Sequence, residues 1–251
     1  MNDDARFLEL PIAVLDVETT GLDPRADRII EIAIIHMQGG VVTERFATLV
    51  NPEQDVPDEV QKLTGIEPSQ LLAAPRFADV AAEVERRLAD RVFVAYNLGF
   101  DRAFVSEELA RTRRELPSRR FVDPLVFVRE LHKTEGSKRL SAVAERLGIP
   151  LASAHRAADD AEAAGLVLYA LLSRLPERLG DLVLLQQQWE LQQKNEMANW
   201  KGDRGGAIDQ GISPSLDRGN ALGPAYIYGD DTDPVRAMFV HLPDAGSVKR
   251  A

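Results

Sequence analysis

Two carboxylates stand in an otherwise apolar, strand-like run near the start of the chain. The segment IAVLDVE, residues 12–18, begins with four apolar residues and then carries Asp16 and Glu18. Because successive side chains of a strand alternate between its two faces, both carboxylates lie on one face. Neighbouring negative charges that lose hydration destabilise a fold unless cations or a shared proton compensate them. Any fold that buries this strand must therefore bring compensating charge to it.

Strand-like and helix-like segments alternate over the following 150 or so residues. Residues 28–50 are predicted to form two strands joined at Gly39-Gly40, which is a hairpin signal. Further strands are predicted at residues 91–97 and just before Asp123, and helices at residues 75–89, 100–112, 124–131, 139–149 and 154–175. A hairpin followed by alternating strands and helices indicates an α/β domain with a mixed sheet.

The character of the chain changes after Pro176. Residues 176–200 are predicted to form a helical extension whose Trp189 and Trp200 either anchor a partner or, as we favour, pack back on the core. Residues 201–251 form a Gly/Pro-containing tail with little periodicity, apart from residues 225–242, which suit a short strand or a docking peptide. We therefore divide the chain into an N-terminal tail (1–9), a main domain (10–175), the helical extension (176–200) and the tail (201–251).

Charge and cysteine content exclude several kinds of site. The net charge is −10, whereas a protein that binds nucleic acid by charge alone is basic, so phosphates must be met by bound cations or a local basic patch. The arginine-rich run at residues 110–120 is one candidate patch, and a solvated surface is the alternative. Without cysteine, neither a disulfide nor a thiolate metal site is available.

The N-terminus lacks signal-peptide features, and no apolar run reaches the roughly 20 residues of a membrane helix, so we expect a soluble cytoplasmic protein that does not associate with membranes.

Two further carboxylates stand where predicted strands end or helices begin. Asp101 closes the segment YNLGFD at a helix start, and Asp160 follows His155 in HRAADDA. Each alone suits an ordinary first-turn acid, which the helix dipole favours. Together with Asp16 and Glu18, they can converge on one point of a sheet. Hard oxygen ligands without thiolates suit two Mg²⁺ or Mn²⁺ ions, which about 4 Å apart stabilise the attacking and leaving oxygens of a phosphodiester. The KLTGI segment, residues 62–66, is expected to be a loop of the same site.

The order of these motifs resembles the DEDD exonuclease superfamily, histidine subgroup (DEDDh), typified by the proofreading epsilon subunit of bacterial DNA polymerase III. LDVETTGLDP, YNLGFD and HRAADDA match its three motifs, and the resemblance covers about residues 10–175. It implies a ribonuclease-H-like fold, here with a mixed five-stranded sheet flanked by helices. It also implies metal-dependent 3′-to-5′ hydrolysis that releases nucleoside monophosphates.

The resemblance assigns a role to each matching position. It implies that Asp16, Glu18, Asp101 and Asp160 are metal ligands and that His155 is the general base. It also implies that backbone groups of Thr19 and Thr20 seat the terminal nucleotide and that Asn97 supports the site, whereas Tyr96 departs from members that carry histidine there.

Geometry adds two expectations about the third motif. Residues five apart on a helix point about 140° apart, so His155 and Asp160 can meet only if His155 lies on the loop before the helix. The positions +4, +7 and +11 from Asp160 are apolar, which predicts that Asp160 shares the buried face, while Asp159 leads through Glu162 and Ala163 to a more polar outward face.

Three functions remain open at this point. The first is a 3′-5′ exonuclease that acts on a single-stranded or frayed DNA 3′ end in proofreading or repair, either alone or with a DNA polymerase subunit. The second is an exoribonuclease that trims RNA or oligoribonucleotides, because the motifs are shared. The third is an inactive nucleic-acid-binding module, against which the presence of all four acids and the histidine argues. Lys133, Lys138 and Arg139 are either contacts for the substrate strand or ordinary surface charges.

Overall fold

The computed structural model describes residues 2–152 and 154–203, with side chains described as far as residue 196. The tail segment 225–242 and the side chain of Trp200 lie outside the described residues, so the predictions for them are not tested.

A mixed five-stranded sheet forms the centre of the protein, as predicted. The strands are β1 (Ile12–Thr19), β2 (Ile29–Gln38), β3 (Val41–Leu49), β4 (Val92–Val94) and β5 (Phe121–Val122). They lie in the order β3-β2-β1-β4-β5. β2 is antiparallel to β1 and β3, whereas β4 and β5 run parallel to β1. Gly39 and Gly40 have φ angles of 60° and 81°, which glycine adopts readily in the tight turn between β2 and β3.

Eight α-helices surround this sheet within the described residues. They are α1 (Asp58–Thr64), α2 (Pro68–Leu72), α3 (Phe77–Leu88), α4 (Leu98–Arg111), α5 (Pro124–Leu131), α6 (Leu140–Leu147), α7 (Ala157–Leu171) and α8 (Leu179–Asp203).

The expectation of a loop at residues 62–66 is wrong for residues 62–64, which form the last turn of α1, and correct for residues 65 and 66. Gly65 caps the helix in the left-handed conformation, with φ 68°. Helices α1 and α2 pack against Ile30 of β2 in a small apolar cluster of their own. Helices this short have little stability in isolation, so they form because they are buried against the sheet. Such helices need no clear apolar periodicity, and the sequence therefore gave no signal for them.

The two faces of β1 pack against different helices. Ile12 and Val14 belong to the apolar cluster built with α5 to α8, whereas Ala13, Leu15 and Val17 belong to the cluster built with α3 and α4. Continuing the alternation places Asp16 and Glu18 on the face that α7 covers. The sheet thus directs both carboxylates towards the helix that carries Asp160.

Both the N-terminal residues and the helical extension contribute to the main core. Phe7 is buried beside Tyr169 of α7. Trp189 of α8 packs edge-on against Phe127 of α5, with ring centroids 6.0 Å apart, so the prediction that Trp189 packs back is confirmed. Among the described residues, no helix is both long and apolar enough to cross a membrane.

Gly165 marks the closest approach of α7 to the sheet. A Cβ atom built there would lie 2.4 Å from Met37 Sδ and 3.0 Å from Val14 Cγ2. We expect Gly165→Val to lower the free energy of unfolding by about 1–3 kcal/mol, because a well-packed core must shift to accept the added volume. Urea denaturation measures the loss. Gly136→Ala, where an added Cβ meets nothing within 4 Å, is the control and should unfold like the wild type.

Candidate active site

The candidate site lies at the C-terminal end of β1, where the neighbouring strand stops short. β4 pairs only with Ile12–Val14 of β1, and α4 begins beyond the end of β4. The Val17 amide donates instead to Oδ1 of Asp101, a fully buried residue on the first turn of α4, at 3.0 Å. This bond holds Asp101 against the strand between Asp16 and Glu18.

Three of the predicted residues come together at one point. Glu18, His155 and Asp160 each offer a ligand atom, and these atoms lie within 4.8 Å of one another. The two carboxylates are almost fully buried, whereas His155 is half-buried. Residues 142 positions apart in the chain therefore meet because α7 crosses the face of β1 that carries Glu18.

His155 lies on the loop before α7, as the angular argument predicts. α7 begins at Ala157, and His155 has a φ angle of 67°, in the left-handed region. Its backbone N–H donates to Asp160 Oδ2 at 3.0 Å. This bond folds the loop back over the first turn of α7 and explains how two residues five apart face the same point.

The predicted phase of α7 is mostly confirmed. Asp160 is 8% exposed, and the apolar residues at +4, +7 and +11 from it are buried in the core. Asp159 is partly exposed, and Glu162 forms an ion pair with Arg45 of β3. Ala163 is buried, however, so its assignment to an outward face is wrong. An alanine is small enough to pack against the sheet beside the main apolar face. The polar neighbour Glu162 led to the wrong assignment of Ala163 to the outward face.

The two threonines at the end of β1 are engaged within the protein. Thr19 Oγ1 donates to the Gly21 carbonyl at 2.7 Å. The Thr20 amide donates to the Arg28 carbonyl at 2.9 Å, and its hydroxyl accepts from the side chain of Gln54 at 2.8 Å. The substrate-seating role of these backbones stays a prediction, and it must use groups other than the Thr20 amide.

Asn97 is held by a buried residue whose role the sequence analysis missed. Asn97 has a φ angle of 71° and precedes the first residue of α4. Asp123 Oδ1 accepts the Asn97 amide at 2.9 Å, and Oδ2 accepts the Leu98 amide at 3.0 Å. Complete burial raises the pKa of Asp123 to about 6, while these amide hydrogen bonds act in the opposite direction. An Asp-Pro pair before an apolar helix is an N-cap signal, and it could have identified this residue.

Glu31 is a second functional candidate that the sequence analysis missed. It is 3% exposed and stands directly opposite Glu18 in the β1–β2 register. Its carboxylate binds the guanidinium of Arg156 and accepts the Ala157 amide at 3.1 Å. An isolated acid in the apolar run IIEIAII, residues 29–35, is the same kind of signal as Asp16 and Glu18 and could have revealed it.

The loop lysines form contacts within the protein. Lys138 Nζ donates to the carbonyls of His132 and Gly136, at 2.7 and 3.0 Å, which folds the loop between α5 and α6. Lys133 forms an ion pair with Glu196 of α8 at 3.0 Å. These contacts favour a structural role for both lysines over contact with a substrate strand.

Most arginines of the run at residues 110–120 also form ion pairs within the protein. Arg111, Arg114 and Arg120 each form an ion pair with an acidic side chain of another turn, helix or segment. The alternative of an ordinary structural and solvated surface therefore fits this run better than a basic patch for nucleic acid.

The donor atoms of the site fit a divalent cation. Carboxylate oxygens and one imidazole nitrogen surround the point where Glu18, His155 and Asp160 meet, and the buried Asp101 is adjacent through Val17. Several partly desolvated acids in one place repel each other, and a cation compensates this repulsion. Oxygen-rich donors of this kind suit Mg²⁺ or Mn²⁺.

Sequence relatives of the chain are nucleases and polymerases. The RNase_T family model, described as exonuclease, matches residues 13–168, more than half of the chain. The chain is 35% identical over 175 residues to a PolC-type DNA polymerase III of Oceanobacillus iheyensis, covering 70% of this chain and 12% of the relative. It is 36% identical over 163 residues to the 3′-5′ exonuclease DinG of Bacillus subtilis, covering 64% of this chain and 18% of the relative. The chain thus spans less than a fifth of these relatives.

Solved structures of exonuclease I share the fold. An E. coli exonuclease I bound to a dT13 oligonucleotide superposes with a TM-score of 0.60 at 21% identity, over 66% of this chain and 42% of that one. A zinc-bound exonuclease I complex with single-stranded DNA gives 0.61 at 21% identity, over 77% and 45%. The predicted ribonuclease-H-like fold is therefore confirmed.

Proposed function

The chain belongs to the RNase_T exonuclease family, and from this premise we propose that it is a metal-dependent 3′-5′ exonuclease that hydrolyses phosphodiesters at DNA 3′ ends. The observation that carries the proposal is the meeting of Glu18, His155 and Asp160 within 4.8 Å at the end of β1. A purely structural role does not explain why two acids far apart in the sequence meet a histidine at the end of β1. Catalysis of phosphodiester hydrolysis does explain this arrangement.

Each residue has a role in this reaction. Asp16, Glu18, Asp101 and Asp160 hold two divalent cations, Mg²⁺ or Mn²⁺. When bound, these cations supply Lewis acidity at the phosphate and offset the negative charge of the acids. His155 accepts a proton from the water whose oxygen attacks the terminal phosphorus. The bond from phosphorus to the 3′ oxygen of the preceding nucleotide breaks, that oxygen gains a proton, and a nucleoside monophosphate leaves.

Asn97, Thr19 and Thr20 complete the site around the terminal nucleotide. The amides of Asn97 and Leu98 are fixed by Asp123, so the turn that precedes Asp101 is rigid before substrate binds. Rigid positioning lowers the entropy that must be lost when the reacting groups meet. The proposed substrate is a single-stranded or frayed 3′ end, by analogy with the exonuclease I structures bound to a dT13 oligonucleotide and to single-stranded DNA.

DNA is favoured over RNA as the substrate by the relatives. Those named DinG are 3′-5′ exonucleases, those named PolC are DNA polymerases, and exonuclease I is seen with DNA oligonucleotides. Since one relative is named a PolC-type DNA polymerase III, association with a polymerase subunit is the corresponding proposal for partners. Rates on single-stranded DNA, a mismatched primer–template and short RNA test the choice. Faster hydrolysis of RNA would favour the exoribonuclease, and no hydrolysis of any of them would favour a binding module.

We expect His155→Ala to lower the rate of hydrolysis by roughly 10² to 10⁴, the usual contribution of a general base. The single-turnover rate at which a 5′-labelled oligonucleotide is shortened from its 3′ end measures the loss. Thermal unfolding of the variant should match the wild type, and Mn²⁺ binding should persist, because the four carboxylates remain. A variant that stays folded, binds Mn²⁺ and hydrolyses the substrate at the wild-type rate would exclude His155 as the base.

A further inference from the structure

The conformation of His155 needs support from outside its own loop. His155 is a non-glycine residue with a φ angle of 67°, a region that L-residues rarely occupy unless surrounding contacts hold them there. On one side, its own N–H donates to Asp160 Oδ2 at 3.0 Å. The C-terminal end of the loop, at Arg156 and Ala157, must also be fixed. α7 starts there, so the position of these two residues determines the direction in which the loop leaves the helix.

Glu31 supplies this second attachment. Its Oε1 lies 2.9 Å from Arg156 Nη2, and its Oε2 accepts the Ala157 amide at 3.1 Å. Arg156 Nε lies 3.3 Å from both oxygens, so one carboxylate holds the side chain of one residue and the backbone of the next. Charged, two-point contacts of this kind fix geometry better than single hydrogen bonds.

The burial of the pair shows which member is the anchor. The Glu31 side chain is 5% exposed, whereas that of Arg156 is 51% exposed. Glu31 lies on β2, next to the central strand β1, and directly opposite Glu18. It is therefore a fixed point on the strand pair that carries two of the candidate metal ligands, and Arg156 and Ala157 are attached to it.

We propose that Glu31 is a positioning residue that holds His155 over the site, acting through Arg156 and the Ala157 amide. The proposal rests on His155 being the general base of the proposed exonuclease. Glu31 does not touch the substrate in this role. Its effect passes through the backbone between residues 155 and 157, and it places the imidazole close to Glu18 and Asp160.

The first test is a double-mutant cycle with His155. We expect Glu31→Gln to lower kcat by roughly 10- to 100-fold with little change in KM, since a misplacement of about 1 Å has an effect of this size. In the His155→Ala background the same substitution should cost less than about 2-fold, because the group it positions is gone. Equal losses in both backgrounds, or no loss in either, would overturn the proposal.

Glu162→Gln is the matched control. Glu162 forms a two-point ion pair with Arg45, which also ties α7 to the sheet, but it contacts neither His155 nor Arg156. We expect this variant to keep the wild-type kcat. If it loses as much activity as Glu31→Gln, the effect belongs to the attachment of α7 in general and the proposal fails. If Glu31→Gln does not fold, Arg156→Gln repeats the test, because it removes the exposed partner of the same ion pair.

A second readout does not depend on nuclease activity. Diethylpyrocarbonate modifies accessible imidazoles, and peptide mass spectrometry resolves His155 from the other histidines. We expect the modification rate of His155 to rise several-fold in Glu31→Gln and to stay at the wild-type value in Glu162→Gln. An unchanged rate in Glu31→Gln would overturn the positioning role, even if the protein proves to be an exonuclease. If the modification rate of His155 rises in Glu31→Gln but the wild-type protein has no nuclease activity, the proposed function is refuted. The positioning of His155 by Glu31 then still holds.

Discussion

Asp160→Asn is expected to lower the rate of hydrolysis by several orders of magnitude, whereas Asp159→Asn is expected to change it by no more than a few-fold. The two residues are adjacent in the chain and chemically identical, so charge alone does not distinguish them. Asp160 is buried, and Oδ2 accepts the His155 amide beside Glu18. Asp159 points to a partly exposed position on the same helix. In the proposed mechanism Asp160 is a metal ligand, so loss of its charge would weaken the binding of the cations and with it the Lewis acidity that they would supply.

Single-turnover rates at saturating Mn²⁺ measure both variants. The amide is nearly isosteric with the carboxylate, and an asparagine Oδ1 can still accept the His155 amide, so both proteins should fold. Matching melting temperatures in the absence of metal would establish that the loss is chemical. If Asp159→Asn were inactive and Asp160→Asn active, both the assignment of the metal ligand and the orientation of α7 at its first turn would be wrong.

Complete removal of divalent metal is expected to abolish hydrolysis, and Mg²⁺ or Mn²⁺ is expected to restore it. Carboxylate oxygens of Glu18 and Asp160 lie within 4.8 Å of each other, and Asp101 accepts the Val17 amide beside Glu18. Without cations the acids of the site repel each other, and the proposed reaction lacks the Lewis acid that it needs at the phosphate even though His155 is present. Incubation with EDTA followed by metal titration measures the requirement. Full activity in a rigorously metal-free sample would exclude the mechanism.

Metal should also stabilise the fold, which gives a readout independent of turnover. A cation at 100 times its Kd stabilises the folded state by about 2.7 kcal/mol, which for a chain of this size raises Tm by several degrees. Asp160→Asn should lose most of this increase and Asp159→Asn should keep it. An equal increase in Tm for both variants would mean that Asp160 does not bind the metal.

Local patterns in the sequence determined most of the elements and the placement of the candidate site residues within them. Period-two alternation placed Asp16 and Glu18 on one face of β1, and the apolar stripe of α7 separated Asp160 from Asp159. The spacing of five residues placed His155 before the helix rather than on it. Each of these conclusions depends only on residues within about one strand or one helix, so the sequence contains the information.

The contacts between distant segments were decided by tertiary structure. Helices α1 and α2 form because they pack against Ile30, and Ala163 is buried because α7 lies close to the sheet. Asp101 reaches the Val17 amide only because β4 stops short of β1.

Glu31 shows the same limit most clearly. Its acidic side chain in an apolar strand was visible in the sequence, but its partner stands 125 residues later, on a loop whose position depends on the packing of α7. Local periodicity reports which face of an element is buried. Which charged groups meet across that face is set by strand order and helix packing, and these arise only when the whole chain has folded.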